Sequence, residues 1–535
     1  MLIPKYSGLT LAGIPVHTQA VVRPGLVGWL AVLAALWAVQ PGGCALAADP
    51  NPTADPVVSL LLEKGVITQD EAAKAEAQIA AGRTNEPAPY LDSKWKISSG
   101  IESVELFGDV RLRFEDREAR DSAGEILLQR YRYALRVGLR GEAADDFYYG
   151  FRLETSSNPR SSMDTFGTSA SGTPYSGPYG KSTDGINVGQ VYLGWKPESW
   201  FDVVAGKMPN PLYTSSMVWS PSISPEGFAE TFKSTVGQAD FFATFGQFLY
   251  QDVNPLNTSG FFSGLYNFTG SSMPFQLAWQ GGVDFHITKK VDFKIAPVIY
   301  DYVGNPVDTA STGYTPGFGD VYVGQGAATG GISGYPNGQY DGYYANQTGI
   351  NDLLVLEIPF ELNYKLDKFD IRAFGDYAQN LSGSRRAEAA YTQSQNPIYI
   401  SDQTPIAVIS SPQTKDTKAY QAGIAIGSPG ALGLVNGTVS KRHAWEVRSY
   451  WQHIEQYSLD PNLIDLDFFS GQENLQGIYA AAAYGFSDNI IGTFRYGYAS
   501  RINNQLGTGG TGTDIPQMNP VNQYDIFQVD LTLKF

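Results

Sequence analysis

Segments in which apolar and polar side chains alternate recur from Val104 to the C-terminal Phe535. The clearest segment spans residues 130–140, where apolar or aromatic residues occupy the odd positions and arginines occupy four of the even ones. A period of two is typical of a β-strand whose two faces meet different surroundings. The segments reach the roughly 9–11 residues that a strand needs to cross a bilayer. A soluble β-sandwich with one wet face would alternate in the same way.

The connections between these segments separate the two interpretations. Short links near residues 141–146, 196–199, 288–290, 366–368 and 487–489 alternate with long ones, at 117–129, 155–185, 208–227, 251–272, 301–350, 381–416, 457–473 and 501–522. Outer-membrane barrels have short periplasmic turns and long external loops, whereas a loop as long as 301–350 is unusual in a compact soluble domain. We predict an all-β fold over 101–535, a transmembrane antiparallel β-barrel of about 16 strands, with roughly 14 to 18 compatible with the pattern.

The N-terminus predicts export. Lys5 and Arg23 precede a short apolar run, Leu26–Val39, and Ala45-Leu46-Ala47 matches a small-residue cleavage site. We interpret residues 1–47 as a signal peptide. Residues 48–100 form a periplasmic segment, in which Thr68 and Glu71 fit the capping box of a short helix.

Composition excludes several classes of function. The net charge is −16, which argues against nucleic-acid binding because that requires clustered excess cations. Removal of the signal peptide would remove Cys44, the only cysteine. The histidines show no metal-ligand spacing and no phosphate-binding or dinucleotide fingerprint is present, so we expect neither a metal nor a cofactor and do not expect an enzyme.

Basic residues are the sharpest local feature of the alternating segments. An arginine on the lipid face at mid-depth costs about 2–4 kcal/mol, so the arginines should face the lumen. The predicted pore-lining residues are Arg111, Arg113, Arg132, Arg136, Arg140, Arg152 and Lys207. Such a ladder would attract anions. The alternative is that Glu105, Asp109, Glu115 and Glu154 pair with these arginines and cancel the field.

The third long loop, after Lys207, is a candidate constriction. Met208-Pro209-Asn210-Pro211 is a stiff exit from a strand, and the candidate residues beyond it are Trp219, Glu226 and Glu230. The two glutamates could lie across the pore from the arginines, and we expect the third and fifth loops to narrow or cap the mouth. An ordinary surface loop is the alternative. Phe535 ends an alternating strand, which resembles the signal read by the barrel-assembly machinery.

Several motifs resemble a known family. They are Leu61–Thr68, Gly108–Phe114, Arg130–Leu139, Ala205–Pro211, and Trp219 with Pro225-Glu226-Gly227. Together they resemble the putative-porin family of Gram-negative bacteria. The resemblance implies a single barrel behind a short helical leader and passive diffusion of small hydrophilic solutes or ions. Members often carry an acidic residue directly after the tryptophan, where this chain has Ser220, so a charged role for the loop tip is not implied.

Two other functions remain open on the sequence. The Gly-, Tyr- and Asn-rich stretch from 303 to 349 would suit an adhesin acting through its external loops. His453 lies near the outer end of a strand, where a barrel lipase could place a catalytic histidine. The expected partners are outer-membrane lipids and the barrel-assembly machinery during biogenesis. Barrel size leads us to expect a homotrimer.

Overall fold

The computed structural model describes residues 100–120, 124–156, 163–166, 185–250, 275–303, 353–395, 410–508 and 521–535, with residues 64, 68, 74, 161, 399–400 and 404–405. The chain forms two compact units, Met1–Lys96 and Ile97–Phe535. The predicted signal peptide lies outside the described residues, and so does almost all of the predicted leader. The second unit contains the β-sheet.

Sixteen antiparallel strands form one closed sheet. They are β1 Glu105–Arg120, β2 Glu125–Glu142, β3 Phe147–Ser156, β4 Gly185–Glu198, β5 Phe201–Lys207, β6 Glu226–Val236, β7 Ala239–Leu249, β8 Phe275–Thr288, β9 Val291–Ile295 with Val298–Val303, β10 Leu354–Lys365, β11 Asp370–Asn380, β12 Lys418–Gly427, β13 Trp445–Ile454, β14 Leu475–Gly485, β15 Ile490–Arg501 and β16 Gln523–Lys534. Each strand pairs with the next, and β1 also pairs with β16, which closes the barrel. The predicted fold class and strand number are confirmed.

The two faces of each strand differ as the alternation predicts. On β2, Tyr131, Leu135 and Leu139 are 55%, 41% and 42% exposed, whereas Arg132 between them is 1% exposed. Arg132 pairs in register with Arg113 of β1, which is also buried. Cross-strand partners share a face of a sheet, so the arginines lie inside the barrel and the apolar side chains lie outside.

Aromatic residues form a band on the outer face at the end of the barrel with the short turns. Ring centroids of Phe201 and Phe232 are 5.0 Å apart, and Trp195 lies 6.3 Å from both Phe147 and Phe201. Trp200 stacks at 6.2 Å on Phe232. Girdles of this kind mark the membrane interfaces of outer-membrane barrels.

Two glycines permit the chain to leave the wall next to the third loop. Gly206 of β5 and Gly227 of β6 are register partners with φ of 118° and 150°. A Cβ at Gly206 would lie 2.3 Å from the carbonyl oxygen of Val191, and one at Gly227 would lie 2.2 Å from that of Gln247. A side chain at either position would therefore clash with the neighbouring strand.

A few smaller elements lie between the strands. The helix α1, Gly383–Gln395, follows β11, and Tyr399–Ile400 pairs with Thr404–Pro405. Asp164–Thr165 pairs with β2. Among the residues that the structure describes, no helix combines the length and the apolar character needed to span a membrane.

An arginine placed on the outer face should destabilise the barrel according to depth. Leu135 lies near the middle of β2 and is 41% exposed. We expect Leu135→Arg to lower the free energy of unfolding in lipid vesicles by about 2–4 kcal/mol, and Leu106→Arg near the barrel end by about 0–1 kcal/mol. Urea titration followed by tryptophan fluorescence measures both. Equal effects at the two positions would contradict a lipid-facing outer surface.

Candidate functional site

Charged residues fill the lumen face of the wall formed by β1, β2, β3, β15 and β16. Arg136 Nε donates to Asp109 Oδ1 at 2.7 Å, and Arg140 Nε donates to Glu105 Oε2 at 2.7 Å. On β3, a nitrogen of Arg152 lies 3.1 Å from Glu154 Oε2. These are the pairs that the alternative interpretation of the sequence names, so most of these arginines carry a local counterion.

A denser network lies towards the long-loop end of the same wall. Glu115 is fully buried and lies 2.9 Å from Arg117, 2.6 Å from Arg130 and 3.7 Å from Arg132. Gln528 of β16 donates a hydrogen bond to Glu115 Oε2 at 2.8 Å. One carboxylate therefore holds several guanidinium groups against the wall, and Arg132 lies behind it, away from open water.

Arg113 joins this network to the neighbouring strand. Its Nε and a terminal nitrogen donate to Asp530 of β16 at 2.7 and 2.9 Å. Another nitrogen donates to Asp467 at 2.8 Å. Asp530 also accepts a hydrogen bond from Arg495 of β15. The bidentate pair between Arg113 and Asp530 joins β1 to β16 within the wall. The same guanidinium group also binds Asp467, which does not belong to the wall.

Lys207, Glu226 and Glu230 are placed differently from the prediction. Lys207 pairs in register with Val191, which is 52% exposed on the outer face, and its Nζ lies 2.6 Å from Glu226. Glu230 pairs with Phe245, which is 40% exposed. Both glutamates belong to β6 rather than to the loop. The three side chains therefore belong to the outward-facing positions of their strands and do not lie across the pore from the arginines.

The third long loop, residues 208–225 (loop 3), lies inside the barrel. Trp219 is 4% exposed, with its ring centroid 5.9 Å from Phe248 of β7 and 6.2 Å from Tyr300 of β9. Its Nε1 donates to the Ile223 carbonyl at 3.0 Å. Trp219 therefore attaches the loop to the inner wall instead of standing at an exposed tip.

Polar contacts hold the start of loop 3 against the opposite strands. Thr214 Oγ1 donates to Glu357 of β10 at 2.6 Å, and the Ser215 amide donates to the same oxygen at 3.2 Å. Tyr300 donates to the other oxygen of Glu357 at 2.7 Å, and the Ser215 hydroxyl donates to Asp376 of β11. Buried carboxylates with this many donors fix the position of the loop.

The seventh long loop, residues 455–474 (loop 7), also folds into the lumen, which the sequence interpretation missed. Phe468 and Phe469 are 1% and 2% exposed. The Ser220 amide of loop 3 donates to the Leu463 carbonyl at 2.6 Å, and the Asp465 amide donates to the Ser216 carbonyl at 3.2 Å. Together with Asp467, which binds Arg113, these contacts carry loop 7 from loop 3 to the arginine wall. The sequence feature that could have indicated this inward position is a pair of adjacent phenylalanines, Phe468 and Phe469, within a long connection.

We predicted that the third and fifth loops narrow the mouth of the barrel, and the structure describes only the third of these. The third loop lies in the lumen together with the seventh. The fifth loop falls within 304–352, outside the described residues, and so does nearly all of the stretch considered for an adhesin.

The two carboxyl groups of loop 7 should make its position depend on pH. Burial and the nearby charge of Asp467 raise the pKa of Asp465 to about 7. Burial opposes ionisation of Asp467 too, but Arg113 and Arg117 hold the pKa of Asp467 below its usual range. Because the pKa of Asp465 is raised when loop 7 is docked, its protonated form favours the docked position. This stabilisation is complete at pH values below the ordinary pKa of a carboxyl group, and it is lost as the pH rises through about 7.

We therefore expect loop 7 to be held less firmly at about pH 8 than at about pH 5. Current noise through single barrels in a bilayer should rise over that range. Asp465→Asn should flatten the dependence, because it removes the titrating group. A variant that keeps the wild-type pH profile would contradict this assignment.

One short-turn connection, residues 428–444, is long and turns inward as well. Ala431 and Leu434 are fully buried. The Gly433 and Val435 amides donate to Glu446 of β13 at 2.8 and 2.9 Å. This turn lies at the end of the barrel opposite loops 3 and 7, and it narrows the lumen from that side.

Open space remains between these insertions and the wall, and two cavities among the described residues illustrate it. The larger has a volume of about 1240 Å³ and is lined by Tyr148, Tyr192, Asp202, Lys233, Asp284 and Lys294, among others. The smaller has a volume of about 540 Å³ and lies against the arginines of β1, β2 and β3. The lumen is therefore narrowed but not filled.

His453 shows no triad in the part of the chain that the structure describes. Its Nδ1 lies 3.0 Å from Gln476 Oε1, its Nε2 lies 3.4 Å from Glu455 Oε1, and its ring stacks on Tyr420 at 4.6 Å. No serine hydroxyl is among these contacts.

The family described as "Putative porin" matches residues 127–315 and 349–535, more than half of the chain. No curated protein matches the chain in sequence. Solved structures that align with the chain include the anion-selective porin from Comamonas acidovorans, at 10% identity over 81% of this chain and 99% of that one, with a TM-score of 0.39. OmpF of Salmonella typhi in complex with daunomycin aligns at 9% identity over 82% and 100%, with a TM-score of 0.41. The outer membrane channel DcaP of Acinetobacter baumannii aligns at 8% identity over 82% and 99%, with a TM-score of 0.37.

Proposed function

Because the chain belongs to the Putative porin family, we propose that it is a passive diffusion channel for small hydrophilic solutes or ions in the Gram-negative outer membrane. The observation that carries the proposal is a closed barrel in which the arginines of β1 and β2 face inward and the apolar residues between them face outward. A barrel of sixteen strands is wide enough to leave an aqueous channel. Loops 3 and 7 narrow that channel from the long-loop end.

The arrangement of charges supports polar solutes rather than lipids as the cargo. The lumen wall carries arginines and carboxylates in pairs, and such a surface remains hydrated and exchanges hydrogen bonds with passing solutes. Selection would rest on size and on local charge, since no conformational cycle is required for passage.

Liposome swelling with uncharged sugars of graded size tests the proposal. Liposomes containing the folded barrel should swell in small sugars, and the rate should fall steeply as sugar size increases. Liposomes prepared with unfolded protein are the control. Swelling no faster than this control in the smallest sugar would contradict passive diffusion.

Export and assembly complete the proposal. We propose that residues 1–47 are cleaved on export, that lipids contact the outer face, and that the barrel-assembly machinery reads the strand ending in Phe535. In support, Phe535 closes the barrel: its carbonyl accepts from the Gly108 amide at 2.9 Å, and its amide donates to the Gly108 carbonyl at 3.1 Å. A homotrimer is proposed from barrel size alone.

A further inference from the structure

The 540 Å³ cavity at the short-turn end of the lumen is strongly basic. It lies between the wall of β1, β2, β3, β15 and β16 and the inward turn 428–444, which contributes Asn436, Gly437, Thr438 and Ser440. Its cationic lining residues are Arg111, Arg136, Arg140, Arg152, Arg495 and Lys534. The acidic residues lining it are Glu105 and Asp109.

Four of these six cations already have counterions. Arg136 pairs with Asp109, and Arg140 pairs with Glu105. Arg152 pairs with Glu154. Arg495 pairs with Asp530, while Arg113 next to it has Asp467 as its additional partner.

Arg111 and Lys534 are the two that remain. Among the described residues, the Arg111 side chain makes no hydrogen bond or ion pair, and its buried Nε has no partner. Asp530 is within electrostatic range, but Arg113 binds both of its oxygens. Lys534 Nζ donates to the Gly437 carbonyl, a neutral group. Six cationic side chains line the cavity and four of them have a carboxylate partner, which leaves about two without an acidic side chain of their own.

Other donors point to the same space. The Nε of Arg152 and the hydroxyl of Ser440 are buried without hydrogen-bond partners, and both residues line the cavity. One carboxylate oxygen, Asp109 Oδ2, is also unpartnered there, but its other oxygen is bound to Arg136. Buried polar groups are nearly always satisfied by protein, water or ligand, so this concentration of unsatisfied donors marks a place for an acceptor.

We propose that this cavity is a binding site for a small, doubly charged oxyanion on the path through the channel. The proposal rests on the proposed function and deepens it by naming a solute class. Arg111 is the register partner of Thr532, and Lys534 follows two residues later on the same face of β16. Diagonal neighbours of this kind are about 7–8 Å apart, within reach of long side chains. One oxyanion can therefore accept from both residues.

The shared chemistry is that of inorganic phosphate and of a short dicarboxylate. Guanidinium and ammonium groups bind either of them with charge-assisted hydrogen bonds. A titration with phosphate and a parallel one with succinate decide which anion fits the site better.

Ion current through single barrels in potassium chloride tests the site. Millimolar phosphate or succinate, added from the short-turn side, should interrupt the chloride current in the wild type. Arg111→Gln should weaken the apparent affinity by roughly tenfold or more, the loss expected for a hydrogen bond between charged groups. Arg372→Gln is the matched control, because Arg372 lies on β11 beside Glu361 and Asn363 and outside this cavity. Equal block of all three proteins, or equal weakening in both variants, would overturn the proposal.

Calorimetric titration of the detergent-solubilised barrel separates this site from conduction. Anion binding that Arg111→Gln abolishes and Arg372→Gln retains would support the site even if no channel activity were found. Normal conductance steps together with no anion binding would overturn the site and leave the proposed function standing.

Discussion

Replacing residues 456–473 of loop 7 with a short Gly-Ser linker should raise single-channel conductance about twofold or more, because a barrel of sixteen strands is wide once its insertions are removed. Loop 7 crosses the lumen from loop 3 to Arg113, and its residues are almost all buried inside the barrel. The linker can close the gap since Ile454 and Leu475, at the ends of β13 and β14, are register partners.

A second variant distinguishes loss of the loop from loss of its attachment. Asp467→Asn keeps the loop but weakens its contact with Arg113. We expect a conductance close to the wild-type value with more frequent transitions to larger steps. An unchanged conductance in the linker variant, measured in protein shown to be folded, would contradict the inward position of loop 7.

The second large effect should come from the buried carboxylate of Glu115. Removing one partner of a buried ion pair leaves an uncompensated charge and typically costs about 3–5 kcal/mol. Glu115 is fully buried among Arg113, Arg117, Arg130 and Arg132. We therefore expect Glu115→Ala to lower the free energy of unfolding by about that amount in urea titrations of the barrel in lipid vesicles.

The same strand offers a matched control. Glu118 binds Arg120, whose side chain is 48% exposed. Exposed pairs of this kind contribute roughly 0–1 kcal/mol, so Glu118→Ala should change stability little. If the two substitutions had equal effects, the network around Glu115 would not be a major source of stability.

The architecture could be predicted because it depends on local features. Alternation over residues 130–140 specifies which side chains of β2 face lipid, and the long connections specify where strands end. Arg132, Arg136 and Arg152 lie inside as parity predicts. Parity was harder to assign on β5, where Val203, Val204 and Ala205 are apolar on both faces, and Lys207 was accordingly placed on the wrong side.

The contents of the lumen could not be predicted in the same way. The contacts that draw loop 7 inward join residues far apart in the chain, such as Ser220 with Leu463 and Arg113 with Asp467. No local period reports such pairs. Glu226 and Glu230 were predicted to belong to the constriction loop, whereas β6 begins at Glu226.

The pairing of arginines with acids in the lumen could not be predicted either, because it also depends on contacts between different strands. The sequence contained both the arginines and the acids, but the choice between an open basic ladder and a set of ion pairs depends on strand register. Glu105 faces Arg140 and Asp109 faces Arg136 because β1 and β2 pair in one particular alignment. The same alignment leaves Arg111 opposite Ala134, so β2 places no acid opposite it.

Planar-bilayer recording of the purified, folded barrel under a salt gradient is the most direct test of the central claim, which is that a lipid-facing cylinder encloses a polar path. We predict discrete conductance steps that persist at low voltage and a reversal potential that Arg111→Gln moves towards cation preference. A protein that stays soluble without detergent and leaves the bilayer resistance unchanged would contradict the claim.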